Sequence, residues 1–145
     1  MNKILHIMIG ASPYNIKFIR FLKSYFDNGK HKIVVIGSNN GFYDSHITFI
    51  NKKKQVFKLR KLMHSSEKIF IHGLFSPHLL LLYSFSPRLL KKSYWVIWGG
   101  DLYYYKFRNK SFKSNIYEFI RGKVIKNIGH IVALVEGDYE LAKKW

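Results

Sequence analysis

Two ionisable residues stand where an apolar run ends in glycine. In Ile69-Phe70-Ile71-His72-Gly73-Leu74-Phe75-Ser76-Pro77 the residue is His72; in Tyr94-Trp95-Val96-Ile97-Trp98-Gly99-Gly100-Asp101-Leu102-Tyr103 it is Asp101. An unbroken apolar run is the signature of a strand covered on both faces, and glycine lets the backbone turn tightly after it. Parallel α/β sheets bind ligands beyond the carboxyl ends of their strands. If the two strands are neighbours, an imidazole and a carboxylate share one crevice, a pair suited to moving a proton. Each residue also has a plainer use. Aspartate often caps a helix or binds backbone amides in a turn, and His72 can tie a strand end to a nearby loop.

The elements that would position this pair alternate in type. Strands are expected at 3–9, 31–36, 68–72, 94–98 and 131–135. Between 48 and 57 the pattern gives one or two short strands broken by Asn51-Lys52-Lys53-Lys54. Ile16, Ile19, Phe21, Leu22 and Phe26 recur at helical spacing with Lys17, Arg20 and Lys23 turned outward, and Asn28-Gly29 closes that helix. Further helices are expected at 59–64, 77–85, 112–126 and 138–145. Strand–helix alternation predicts a Rossmann-like α/β domain with a parallel sheet flanked by helices.

The chain has 145 residues, enough for one domain with a core, and 48% of them are hydrophobic. Its charge is the outlier: 25 Lys and Arg against 8 Asp and Glu give +17. Such an excess attracts polyanions, whether nucleic acid, anionic lipid or a phosphorylated substrate. There is no cysteine, hence no disulfide framework and no thiolate chemistry. The apolar start of the chain contains His6 and has no small-residue cleavage pattern, so a first strand is expected there, not a signal peptide. Residues 69–87 lack Lys, Arg, Asp and Glu, yet His72, Gly73, Ser76, Pro77, His78, Ser84 and Ser86 interrupt them, which suits strand, turn and helix better than a membrane span.

Other chemistries lack their motifs. His72 and His78 have no HExxH or cysteine partners, so no metal is expected. The loop from Gly10 lacks GxGxxG, and no nicotinamide or other cofactor is expected. Ser76 and Ser86 are outside a nucleophile-elbow context.

The segment His72-Gly73-Leu74-Phe75-Ser76-Pro77 and the tryptophan-rich run Trp95-Val96-Ile97-Trp98-Gly99-Gly100-Asp101-Leu102-Tyr103 resemble those of the bacterial 4-acetamido-4,6-dideoxygalactosyltransferase family (glycosyltransferase family 56, which takes in fucosyltransferase-type enzymes). Residues 37–41 with Asp44-Ser45, and Gly137-Asp138, add weaker likeness, in order along nearly the whole chain. Two places depart from the family pattern. Ser12-Pro13-Tyr14-Asn15 stands where an acidic residue and a histidine are usual, and Gly100 stands where alanine is usual. The resemblance implies a two-domain GT-B glycosyltransferase of which residues 1–145 are the N-terminal, acceptor-side domain. The domain that binds the dTDP-linked sugar would lie outside the chain, leaving these residues inactive alone. It further implies an inverting transfer to a polyprenyl-diphosphate-linked glycan, as in enterobacterial common antigen synthesis, at the cytoplasmic face of the inner membrane. Asp101 and His72 become the candidate catalytic residues, and Gly73, Ser76, Trp98, Gly99, Gly100 and Tyr103 the candidate substrate-binding ones.

Tyr104 and Tyr105, beside Lys106, Arg108 and Lys110, form an aromatic and basic patch with Tyr103, suited to the head-group depth of an anionic membrane; Lys91, Lys92, Arg121, Lys123 and Lys126 would extend it. The plainer reading is a solvated basic face. Nucleic acid is the rival partner, disfavoured because no binding motif is present and most aromatics lie within apolar strands. A non-catalytic α/β module is the other alternative.

Overall fold

A computed structural model describes residues 3–27, 29–51 and 55–145. The chain forms two compact units, the first ending at Phe70 and the second running Ile71–Trp145. Along it lie β1 (Ile4–Ile9), α1 (Pro13–Tyr25), β2 (His31–Ile36), β3 (Ile47–Ile50), α2 (Val56–Ser65), β4 (Lys68–His72), α3 (Pro77–Ser84), α4 (Pro87–Lys91), β5 (Ser93–Val96), α5 (Tyr104–Phe107), α6 (Phe112–Asn127), β6 (His130–Val132) and α7 (Glu136–Ala142). The six strands follow the order β3-β2-β1-β4-β5-β6 in an all-parallel sheet, the strand order of Rossmann-type doubly wound folds.

In the first unit, Ile4 pairs with His31 and Ile9 with Ile36, while β2 pairs with β3 from Ile33–Ile47 to Ile36–Ile50. Met8, Ile19, Leu22, Ile33, Val35 and Ile47 form one buried cluster, with Phe18, Phe42 and Phe49 packed against it. The loop after β1 is a helix start: the Ser12 hydroxyl accepts the Asn15 amide at 3.2 Å, Pro13 opens α1, and the Asn15 side chain donates to the carbonyls of Ile9 and Gly10 at 3.1 and 2.8 Å. The residues that depart from the family pattern here are thus an N-cap and a tie to the strand end. α1 buries Ile19 and Leu22 as its spacing predicts. Phe21 and Phe26, expected on the core face, are instead each 48% exposed, the Phe21 ring lying tilted against Tyr25 and edge-on to Phe26.

In the second unit, Tyr94 pairs with His130 and Val96 with Val132. Trp95, Ile97, Leu102, Tyr83, Val124 and Ile125 are among its buried residues. β5 stops short of the expected 94–98. Ile97 still donates to the Val132 carbonyl at 2.9 Å, but the Trp98 amide turns to the Asp101 carboxylate. β6 likewise ends before 133–135, because the Val135 carbonyl already accepts the Asp138 and Tyr139 amides that open α7. Two short helices, α4 and α5, were not expected. One strand, β3, forms in the ambiguous 48–57 region; the expected breaks at Asn28 and Lys52-Lys53-Lys54 lie outside the described residues. The uncharged stretch 69–87 is split between β4, a turn and α3, and no helix among the described residues is long and apolar enough to cross a membrane.

Candidate functional site

β4 and β5 are neighbours in the sheet, and the Gly73 amide donates to the Val96 carbonyl at 3.1 Å where both strands end. This places His72 at the end of β4 and Asp101 beyond the end of the adjacent β5, within the second unit. The two residues are used differently.

Asp101 is fully buried, and both carboxylate oxygens are occupied. One oxygen accepts the Leu74 amide at 3.0 Å and the Trp95 indole N–H at 2.5 Å; the other accepts the Trp98 amide at 3.0 Å. One side chain therefore holds the loop after β4, the core tryptophan of β5 and the loop after β5. Its carbonyl accepts the Arg121 guanidinium, which is also fully buried, pairs with Glu118 at 2.7 Å and reaches the Leu102 carbonyl. These contacts match the plainer use of an aspartate, the binding of backbone amides in a turn. Gly99, at φ +79°, makes that turn; its carbonyl accepts the Tyr103 amide at 2.9 Å.

His72 is 4% exposed, and its ring lies tilted against Trp98 with centroids 6.2 Å apart. Burial pushes its pKa down to about 4, so the imidazole is neutral at physiological pH. Gly73 follows at φ +83°, and a Cβ there would stand 3.1 Å from the Phe75 ring. Phe75 and Trp98 are 39% and 38% exposed. The Phe75 ring also passes 3.5 Å from where a Gly100 Cβ would sit. The result is a shelf in which the Phe75 ring lies over the backbone at Gly73 and Gly100, with the half-exposed Trp98 ring beside the buried, neutral His72 imidazole. Ser76, a candidate substrate residue, caps α3 by accepting the Leu79 amide at 3.4 Å.

The tyrosine segment is half-buried and makes contacts within the unit. The Tyr103 hydroxyl donates to Asp138 at 2.9 Å, and that carboxylate pushes the phenol pKa up. Tyr104 meets Tyr117 edge-on with the Arg121 guanidinium over its ring, and Tyr105 meets Trp145. Lys106 lies over the Tyr103 ring at 5.0 Å, and Arg108 donates to Ser114 and Asn115. Lys106 and Lys110 remain exposed. Arg121, read from sequence as part of the basic surface, is interior, because its α6 position faces the Asp101 turn. Among the described residues no cluster of three or more His, Asp or Glu is placed to hold a metal.

Sequence reasoning did not single out Trp95 and Arg121 as parts of this network. A tryptophan N–H in a buried strand needs an acceptor, and that requirement was the available signal for the first. No protein-family model matches the chain.

Proposed function

We propose that this chain is the acceptor-side domain of an inverting GT-B glycosyltransferase that extends a polyprenyl-diphosphate-linked glycan with a dTDP-linked acetamido-deoxy sugar. The observation that carries the reading is the shelf at the carboxyl ends of β4 and β5, where the half-exposed Phe75 and Trp98 rings lie over Gly73 and beside the buried His72. Half-exposed aromatic rings offer the flat apolar surface that the C–H face of a sugar packs against, and the glycines let the Phe75 ring lie close to the backbone. The motifs HGxFxP and WxxWGGDLY, which carry the family resemblance, are the residues that build this shelf.

In the proposed step an acceptor hydroxyl oxygen bonds to the anomeric carbon of the donor. The bond from that carbon to the diphosphate oxygen breaks, and its electron pair leaves with dTDP. The hydroxyl proton passes to the neutral His72 imidazole, whose basicity resembles that of a carboxylate base. Asp101 is assigned a positioning role: with its oxygens engaged by Leu74, Trp95 and Trp98, it holds both shelf loops in register. The donor site belongs to a second α/β domain outside these residues.

The test is transfer from dTDP-4-acetamido-4,6-dideoxygalactose to a detergent-solubilised polyprenyl-diphosphate-linked acceptor, using a protein that carries this chain together with a donor domain. Coupled dTDP release and glycolipid extension are expected, with His72→Ala lowering kcat about a hundredfold or more. Absence of transfer by that protein, or turnover by the 145-residue chain alone, overturns the reading.

A further inference from the structure

The outer face of α3 and α6 carries apolar side chains that this unit does not cover. On α6, Phe112, Ile116 and Phe119 are 79%, 45% and 63% exposed at spacings of four and three residues, so they share one face. On α3, Leu81 is 51% exposed, and Phe85 just past the helix is 78% exposed. Between them runs a groove. A cavity of about 520 Å³ is lined by Leu81, Phe85, Leu90, Phe119 and Val124. A second, of about 280 Å³, shares Leu81 and Ile120 with it and continues toward Pro77 and Ile116.

The rim has one sign of charge. Lys91 and Lys123 line the larger cavity and Lys113 the smaller, and Lys123 lies 4.5 Å over the Phe119 ring. Arg88 on α4 and Lys126 on α6 are exposed as well. From 77 to 127 the acidic residues are Asp101 and Glu118; Asp101 is fully buried, and Glu118 is bound to Arg121. An apolar centre ringed by cations complements acyl chains beneath anionic head groups. A second copy would press these lysines against their own counterparts, which charge complementarity disfavours.

We propose that the chain docks on an anionic lipid bilayer through the α3–α6 face, with Phe85 and Phe119 entering the acyl boundary and Lys91, Lys113 and Lys123 meeting lipid phosphates. The proposed docking surface is the groove; the half-buried tyrosines at 103–105 make contacts with Asp138, Tyr117 and Trp145. The inference rests on the transferase reading only for why a bilayer is the partner, and lipid flotation measures docking without reference to turnover. The two can thus fail separately.

The experiment is flotation of the 145-residue chain with phosphatidylcholine vesicles, with and without phosphatidylglycerol. Wild type binds the anionic vesicles. Phe85→Ser with Phe119→Ser lowers that affinity about tenfold or more, because membrane affinity scales with buried apolar area. Lys113→Gln with Lys123→Gln lowers it several-fold in a salt-sensitive way, whereas Lys106→Gln with Lys110→Gln changes it less than about twofold. Phe119→Trp, an exposed aromatic exchange that spares the core, is quenched by brominated acyl chains, so insertion is read even if the double variant folds poorly. The proposal is overturned by any of four results: no flotation, a larger loss in the Lys106/Lys110 pair, no quenching of Phe119→Trp, or a wild-type dimer that Phe119→Ser makes monomeric.

Discussion

The Asp101 turn and the α3–α6 face lie in the same unit and invert the usual placement of polar and apolar groups. At the turn, a carboxylate, an indole N–H and the Leu74 amide are buried and the Trp98 amide is partly buried, the carboxylate accepting from all three donors. On the helix face, phenylalanines stand in the open beside lysines. A buried polar network rigidifies because any displaced partner is left unpaired in a low-dielectric interior. An exposed apolar patch contributes nothing to folding and stays open to something outside the chain. The first region therefore answers to stability measurements, and the second to binding.

The sharpest way to break the contrast is at Asp101. Asp101→Ala leaves the Leu74 and Trp98 amides and the Trp95 indole without their acceptor. At about 1–3 kcal/mol for each of the two fully buried donors left unsatisfied, urea denaturation should register a loss of about 2–6 kcal/mol. A loss below about 1 kcal/mol would mean that the turn does not depend on the carboxylate.

His72 gives the next largest effect, through pH. Its folded pKa of about 4 lies below the ordinary 6.5, so the unfolded chain takes up the proton first as pH falls. The group's full contribution is present above pH 6.5, declines between 6.5 and about 4, and is constant below. That window corresponds to about 3 kcal/mol, and the slope is expected to flatten in His72→Gln. Parallel stability curves for wild type and variant across it would remove His72 as the titrating group.

The smallest effect separates two glycines of the shelf. Gly73→Ala meets a positive φ and the Phe75 ring at 3.1 Å and should cost about 1–2 kcal/mol. Gly100→Ala, the residue usual in the resembled family, meets ordinary contact at 3.5 Å and should change stability by less than about 0.5 kcal/mol. Thermal melts that rank them the other way would contradict the shelf geometry.

The strands that end at His72 and near Trp98 were legible because a strand covered on both faces leaves an unbroken apolar run, with glycine marking its end. α4 and α5, of five and four residues, are too short to express a helical period. The closeness of Asp101 to Leu74 spans 27 positions and exists only once the strands pair. The exposed face of α6 was hidden for a related reason. Phe112, Ile116 and Phe119 look outward while Val124 and Ile125 look inward, so apolar residues surround the helix and no single stripe stands out. The run Tyr103-Tyr104-Tyr105 reads as surface; its rings are half-buried, and the partners they meet, Asp138, Tyr117 and Trp145, lie outside the run and are set only by the fold.

The most direct test compares His72→Ala and Asp101→Asn in a donor-domain-containing transferase, reading kcat and thermal midpoint together at a temperature where both variants are folded. The account predicts that His72→Ala loses about a hundredfold or more in kcat, while Asp101→Asn shows the larger fall in thermal midpoint. Near-normal turnover in His72→Ala, or a collapse of turnover in Asp101→Asn with an unchanged thermal midpoint, would contradict it and return the proton transfer to Asp101.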